Sequence, residues 1–490
     1  MLHSSTATKA RRSASGRALK AAAIPGSGAT TVTVTDITDQ RVFQRVGSSA
    51  SIAVTGTFTG PAAVIQARAV PNGTSISSTA VAWQTLVATP TGGTYSGNLT
   101  VAQGGWYNIQ VRDAVSYASA GGSSKFGVGV VIGVIGQSNA VGLIDNVQSY
   151  PLGGAKSVEY VAGAYRRVGN VNDAYSVNTL YPAYGGYTTP GHNADGYTFL
   201  ANLVSSGLAV PVCLMPYAVS GSAIASWMSG QANWTQFAAA IASVGDMEAV
   251  IWHQGESDAN LMSTATMKLR LSDLHTQLLS VTGRTTSNFN FGVVSLGPGS
   301  FSGSSEGEFG NMRTAHTEYA NSTAGAFLAG CAHDTQTSDG VHITGEGQSR
   351  LGRRYAKALL GKLGIGAASA GPKITGATRS GAIITVAIAH TGGTALSDGS
   401  GGSGAALTGW QVYDGGVLAS IASTAIVGNT VQLTLSATPS GVVEVAYAMM
   451  DAPHGTATSF VSVSCVYDND TYLNSSTGLP LQPAPRMVVA

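Results

Sequence analysis

The stretch that decides the fold is Phe126-Gly127-Val128-Gly129-Val130-Val131-Ile132-Gly133-Val134-Ile135-Gly136-Gln137-Ser138-Asn139-Ala140. From Val128 to Ile135 it is apolar without alternation, as expected of a parallel strand covered by helices on both faces. The run ends abruptly in Gly136-Gln137-Ser138-Asn139. A Ser in the turn between strand and helix exposes its Oγ, and its backbone N–H points from a helix N-terminus toward the place where an oxyanion would develop.

Similar apolar runs recur at Val210 to Val219, Ala249 to Trp252 and Phe291 to Leu296, with helix-like stretches between them at Ala259 to Thr282 and Glu308 to Asn321. Strands alternating with helices predict an α/β domain over residues 127–366. Its last helix carries Leu351, Tyr355 and Leu359 at a spacing of four, with Arg350, Arg353, Arg354 and Lys357 on other faces. On either side the period changes to two. Ile52 and Val54, then Ile109 and Val111, alternate with polar residues and predict a small antiparallel β-sandwich over 31–126. Ile384, Val386 and Ile388, then Val431, Leu433 and Leu435, predict a second one over 372–490, ending in a Pro-rich tail from Pro480 to Pro485.

Three segments place polar residues just past the ends of predicted parallel strands or before the final helix, where open α/β sheets present ligand sites. The first is the Ser138 turn. The second is Trp252-His253-Gln254-Gly255-Glu256-Ser257-Asp258, and the third Asp339-Gly340-Val341-His342. An Asp three residues ahead of a His can reach the imidazole Nδ1 and fix its tautomer while Nε2 faces the Ser. A serine hydroxyl needs such a base, being a poor nucleophile at its own pKa.

In this order the blocks resemble the sialate O-acetylesterase-like branch of the SGNH (GDSL-type) hydrolases. That branch reads Gly-Gln-Ser-Asn at the nucleophile, Trp-x-Gln-Gly-Glu-x-Asp in the middle and Asp-x-x-His before the last helix. Gln137 and Gln254 separate the chain from superfamily members with Asp and Asn at those places, and the resemblance covers residues 130 to 365. It implies a flavodoxin-like three-layer α/β/α domain and a serine esterase that removes O-acetyl groups from carbohydrate. Ser138 would be the nucleophile, with His342 and Asp339 as base and acid partners. A Gly-containing turn followed by Trp matches Ser220-Gly221-Ser222 with Trp227. The resemblance makes Gly221 N–H, Ser138 N–H and the Gln254 amide the oxyanion donors. Gln137, Asn139, Glu256 and Asp258 are left as substrate-binding or supporting residues.

Each residue also has a plainer reading: Ser138 as a helix N-cap, Asp339 as the cap of the following helix, Gln254 as a group that satisfies buried backbone. His192, His275, His316 and His390 read as surface or helix residues. His253, Glu256 and His342 have no ligand spacing for a metal. Cys213, Cys331 and Cys465 are odd in number, form no zinc motif and read as buried small hydrophobes. Neither metal nor cofactor is expected.

Composition narrows the partners. With 25 basic and 24 acidic residues the net charge is +1, so the protein as a whole carries no footprint for nucleic acid. No apolar run approaches the ~20 residues that span a bilayer. A neutral glycan fits this charge balance, and the resemblance implies that it is O-acetylated. Residues 1–30 hold Lys9, Arg11, Arg12, Arg17 and Lys20 without an acidic residue, and Ala21 to Ile24 is too short for the apolar core of a secretion signal. These features lead to an expected extracellular or virion location, with the basic segment as a flexible tail or anchor and the protein as a homo-oligomer, a trimer by analogy, on a phage tail. The competing readings are an inactive glycan-binding or structural tail protein, and a lipase or thioesterase of the same superfamily.

Overall fold

The computed structural model describes residues 29–72, 79–141, 157–161, 164–167, 196–299, 307–399, 406–455, 464–472 and 477–490. The basic N-terminal segment up to residue 28 and His192 lie outside the described residues.

The apolar run forms the strand Phe126–Gly136, buried along its whole length. It is central in a sheet ordered Ala164–Arg167, Ser157–Val161, Val212–Ala218, Phe126–Gly136, Ala249–His253, Asn290–Ser295, Ala326–Cys331. All neighbours in this row are parallel except the first pair, which is antiparallel. Side chains alternate between two cores. Val131 and Ile135 pack with Phe237, Ile241, Leu271 and Met312 from the helices Ala232–Val244, Thr264–Thr282 and Glu308–Ser322. Val130, Ile132 and Val134 pack with Phe199, Val204, Leu351, Tyr355 and Leu359 from the helices Gly196–Leu208 and Gly345–Lys362. Helix layers on both faces explain why this strand needs no polar side. The chain leaves Phe126–Gly136 toward one edge of the sheet and returns to its other side at Ala249–His253. The C-terminal end of Phe126–Gly136 is therefore a topological switch point, where the connections diverge and leave a crevice.

The flanking regions differ from expectation in two places. Residue 126 was expected to end the first β-region, yet Phe126–Gly136 runs through that boundary: Phe126 to Gly129 pair with Arg41–Gln44, and the same stretch pairs with Gly104–Asp113. Phe126 packs edge-on against Phe43 in the N-terminal core, so one strand serves both regions. That core is closed by Ile52, Val54, Leu99 and Val101 of one sheet against Ile65, Ala67, Ile109 and Val111 of another.

In the C-terminal region Ile384, Val386, Val431 and Leu433 of one sheet meet Val412, Val445 and Tyr447 of a second. The segment expected as a Pro-rich tail instead supplies Gly478–Pro480 and Ala484–Val488, the latter pairing with Val443–Tyr447 at the sheet edge. An edge strand tolerates proline because one row of its N–H groups has no ladder partner to lose.

Arg350 and Arg354, expected on other faces of the last helix than Leu351, Tyr355 and Leu359, are buried as well. Asp334 explains this: its carboxylate accepts from Arg350 Nη2 at 3.0 Å, from Arg354 Nη1 and Nη2 at 2.7 Å each, and from Tyr467 O–H at 2.9 Å. The cluster joins the turn after Ala326–Cys331, the final helix and the C-terminal β-region. His275 and His316 are on helices as expected but buried, not at the surface.

Candidate active site

Gly136 shapes the turn at the switch point. Its φ of +142° is unfavourable for residues with a Cβ, and a Cβ there would lie 2.0 Å from the carbonyl oxygen of His253 on the adjacent strand. Ser138 then opens a short helix with its side chain almost wholly enclosed. Its Oγ lies 3.0 Å from His342 Nε2, and His342 Nδ1 lies 2.6 Å from Asp339 Oδ2.

The third block folds to make this possible. Asp339 Oδ1 accepts the backbone N–H groups of Val341 at 3.0 Å and His342 at 2.8 Å, which closes the loop and leaves Oδ2 for the imidazole. Burial pushes the Asp339 carboxyl up, but the His342 N–H, the His342 ring and the Val341 N–H outweigh it and hold the group down at about 2. It is therefore an anion when the imidazole needs an acceptor at Nδ1. Asp339 as a helix cap finds no support, since Thr344 caps the last helix.

Asn139 ties the loop to the nucleophile turn. Its Nδ2 donates to Glu256 Oε1 at 2.7 Å and to the Val341 carbonyl at 3.1 Å, while its Oδ1 accepts from Ile343 N–H at 3.0 Å. Both chain neighbours of His342 are thus held by one buried side chain. Gln348 Nε2 braces the same residue by donating to the Asn139 carbonyl at 2.9 Å. Gln137 Oε1 accepts from Ser257 N–H at 3.1 Å and orders the middle block. Glu256 is fully buried, and burial raises its carboxyl against the lowering effect of the Asn139 bond.

The turn Val219-Ser220-Gly221-Ser222 is closed by Ser222 N–H on the Val219 carbonyl at 3.2 Å. Gly221 is exposed, with a φ of +68° and open space where a Cβ would stand, as the third residue of a type II turn requires. Ser222 Oγ donates to the Gly136 carbonyl at 3.3 Å and accepts from Trp227 Nε1 at 3.0 Å. The Gly221 turn and the Ser138 turn are thus joined through Gly136.

Gln254 departs from its expected role as an oxyanion donor. The side chain is fully buried and its amide donates to the Ser222 carbonyl at 3.1 Å and to Asp258 Oδ2 at 2.6 Å, so both N–H bonds are taken. Asp258 Oδ2 also accepts from Ile224 N–H at 2.8 Å. Gln254 and Asp258 therefore hold the Gly221 turn from both sides, and burial raises the Asp258 carboxyl despite these bonds. His253 Nδ1 lies 3.1 Å from the Tyr355 hydroxyl, and burial, helped by His316, keeps its ring neutral with a pKa of about 3. Its Nε2 is 3.9 Å from Glu256 Oε1, and His342 is turned toward Ser138. Gln348, whose partner is a backbone carbonyl, carries no signal in the sequence that singles it out.

Residues 187–361 match a family model described as carbohydrate esterase, sialic acid-specific acetylesterase. The matched stretch includes Gly221, Gln254, Asp339 and His342. Among solved structures the chain is similar to a carbohydrate acetylesterase from Xanthomonas citri, with 18% identity, a TM-score of 0.59 and coverage of 92% of this chain and 98% of that one. It is also similar to a protein from Arabidopsis thaliana (19% identity, TM-score 0.38, 47% and 97% covered). A carbohydrate acetylesterase from Sinorhizobium meliloti matches with 16% identity and a TM-score of 0.32, covering 47% and 98%. The likeness to the Xanthomonas protein is one of fold and extends through the flanking β-regions. No curated protein sequence matches the chain significantly. The α/β region is an SGNH-type hydrolase fold. Over residues 187–361 it is similar to the sialic acid-specific acetylesterase family of carbohydrate esterases.

Proposed function

We propose that the protein is a serine esterase that cleaves O-acetyl groups from carbohydrate, with Ser138 as nucleophile, His342 as general base and Asp339 as the group that orients it. The observation that carries this reading is the unbroken line of short contacts from Asp339 Oδ2 to His342 Nδ1, 2.6 Å, and from His342 Nε2 to Ser138 Oγ, 3.0 Å. With Nδ1–H donated to the carboxylate, Nε2 is bare and takes the Ser138 proton as Oγ attacks the acetyl carbonyl. The negative charge that forms on the carbonyl oxygen is received by Ser138 N–H and Gly221 N–H, the two backbone donors beside the crevice. His342 then returns its proton to the departing sugar hydroxyl. A water, activated by the same imidazole, releases acetate from Ser138 and restores the site.

Gln254 and Asp258 act one step back, by keeping the Gly221 turn where its N–H can serve. This assignment replaces the direct oxyanion role expected of Gln254. The carbohydrate part of the substrate rests on the description of the matching family, and the acetyl part on that same description. Hydrolysis of p-nitrophenyl acetate against the butyrate and octanoate esters, together with acetate release from O-acetylated polysaccharides, tests it. Preference for acetyl with release from polysaccharide is the expected result. Preference for octanoate would instead mark a lipase or thioesterase, and no turnover of any ester would mark an inactive glycan-binding protein.

A further inference from the structure

Away from Ser138, three side chains that no step of the esterase reaction uses converge on the seam between the α/β region and the C-terminal β-region. His333 follows the strand Ala326–Cys331, His454 lies in a turn after Val443–Tyr447, and Cys465 precedes Tyr467–Thr471. One ligand atom from each lies within 4.8 Å of the other two. His333 Nδ1 and His454 Nε2 are 3.0 Å apart. We propose that His333, His454 and Cys465 form a binding site for a borderline-soft divalent cation, zinc in the first instance, that fastens the C-terminal β-region to the esterase region.

The outer contacts of the three residues suit this role. A metal-bound imidazole usually donates its remote N–H to a carbonyl or hydroxyl, which fixes the ring and its tautomer. His333 Nε2 donates to the Leu481 carbonyl at 2.9 Å, leaving Nδ1 bare toward the site. His454 Nδ1 lies 2.8 Å from Thr408 Oγ1, whose own hydroxyl reaches the Ser464 carbonyl at 3.3 Å. Tyr447 stands 3.2 Å from Cys465 Sγ, placed to donate its O–H to a thiolate. Neutral imidazole is the ligand form, and the Leu481 carbonyl, which can only accept, holds His333 in the tautomer with Nδ1 bare. The charged groups that reach these rings are Asp334, which favours a cation there, and Arg313 and, at His333, Arg354, which oppose it.

Proton balance follows from the geometry. Without metal, His454 Nε2–H donates to His333 Nδ1 and the Cys465 thiol is protonated, since burial pushes it up. On binding, the His454 proton moves from Nε2 to Nδ1 and is donated to Thr408 Oγ1, with no net change. The thiol proton leaves as sulfur bonds to the metal. One proton is released per ion. Tetrahedral bonds of ~2.05 Å place two nitrogens about 3.3 Å apart, so the rings need separate by only a few tenths of an ångström. Three protein ligands leave the fourth tetrahedral position for a water.

The test is titration of the full chain with Co2+ and Zn2+ after exhaustive chelation. The expected result is one equivalent bound, one proton released per ion, and, with Co2+, visible bands of a four-coordinate ion with a sulfur-to-cobalt charge-transfer band. Cys465→Ala should abolish the charge-transfer band although Cys213 and Cys331 remain, and His454→Asn, which removes a ligand, should weaken binding by more than the ~10- to 100-fold typical of losing a ligand's outer partner. Circular dichroism establishes that each variant is folded. The wild-type result is decisive even where a variant does not fold: no bound metal, or bound cobalt without thiolate charge transfer, overturns the proposal. Binding unchanged in folded His454→Asn overturns it equally.

Discussion

Replacing Asn139 with alanine removes the one side chain that holds both neighbours of His342. Three buried groups lose a partner: Glu256 Oε1, the Val341 carbonyl and the Ile343 N–H. Each unsatisfied buried group costs roughly 1–3 kcal/mol, and water entering the vacated space recovers part, so the variant should lose about 3–5 kcal/mol of stability. A domain of ordinary stability, about 5–15 kcal/mol, survives that loss. Activity should fall by more than the unfolded fraction explains. With the loop released, His342 drifts from Ser138, and a displacement of ~1 Å at a reacting pair costs ~100-fold. The assay is kcat for p-nitrophenyl acetate at a temperature where circular dichroism shows the variant folded, beside urea denaturation. Asn139→Asp sharpens it by keeping the acceptor for Ile343 N–H while setting a second carboxyl against Glu256. If folded Asn139→Ala kept kcat within about threefold of wild type, the loop would not need this tether and the reasoning would be wrong.

Ser138→Ala and His342→Ala should each lower kcat by roughly 10³- to 10⁶-fold without unfolding the protein, and Asp339→Asn should be milder, as steady-state kinetics with folded variants will show. Glu256 carries a carboxyl raised by burial from its ordinary 4.5, so its own contribution to stability is fully present below that value and is lost as pH rises through the raised one. Glu256→Gln does not titrate, and in urea denaturation its stability relative to wild type should improve between about pH 4 and about pH 8. Asp334→Asn leaves Arg350 and Arg354 buried without their counter-ion and should cost about 3–5 kcal/mol, read by thermal or urea unfolding.

The central strand was legible because burial on both faces imposes an unbroken apolar run, and Val128 to Ile135 has no other economical reading. The chemical blocks were legible because strand ends and tight turns confine them to short, ordered stretches. What escaped depends on partners distant in sequence. Phe126 belongs to the same strand as Ile135, so no change of composition marks where one region passes into the next. Pro480 and Pro485 read as breakers, and only the location of Ala484–Val488 at a sheet edge makes proline harmless there. Ala326–Cys331 is a core strand written in small residues, Ala-Phe-Leu-Ala-Gly-Cys, whose apolar signal is weak. Arg350 and Arg354 lie off the apolar stripe of their helix, and only Asp334, which gives them three buried bonds and takes a fourth from Tyr467, draws them inside. Gln254 was found in the right block with the wrong partner, because the Ser222 carbonyl it meets is 32 residues away. His333 and His454 are separated by 121 residues, beyond any local metal-ligand spacing.

The most direct measurement of the central claim is active-site labelling with an organophosphonate ester, followed by peptide mass mapping and parallel assay of acetyl-ester hydrolysis. A serine made nucleophilic by a neighbouring imidazole reacts where ordinary serines do not. The account predicts a single adduct, on Ser138, whose extent equals the fraction of activity lost, and no adduct in His342→Ala. Full hydrolysis by protein quantitatively labelled at Ser138, or activity lost through an adduct on another residue, would contradict it.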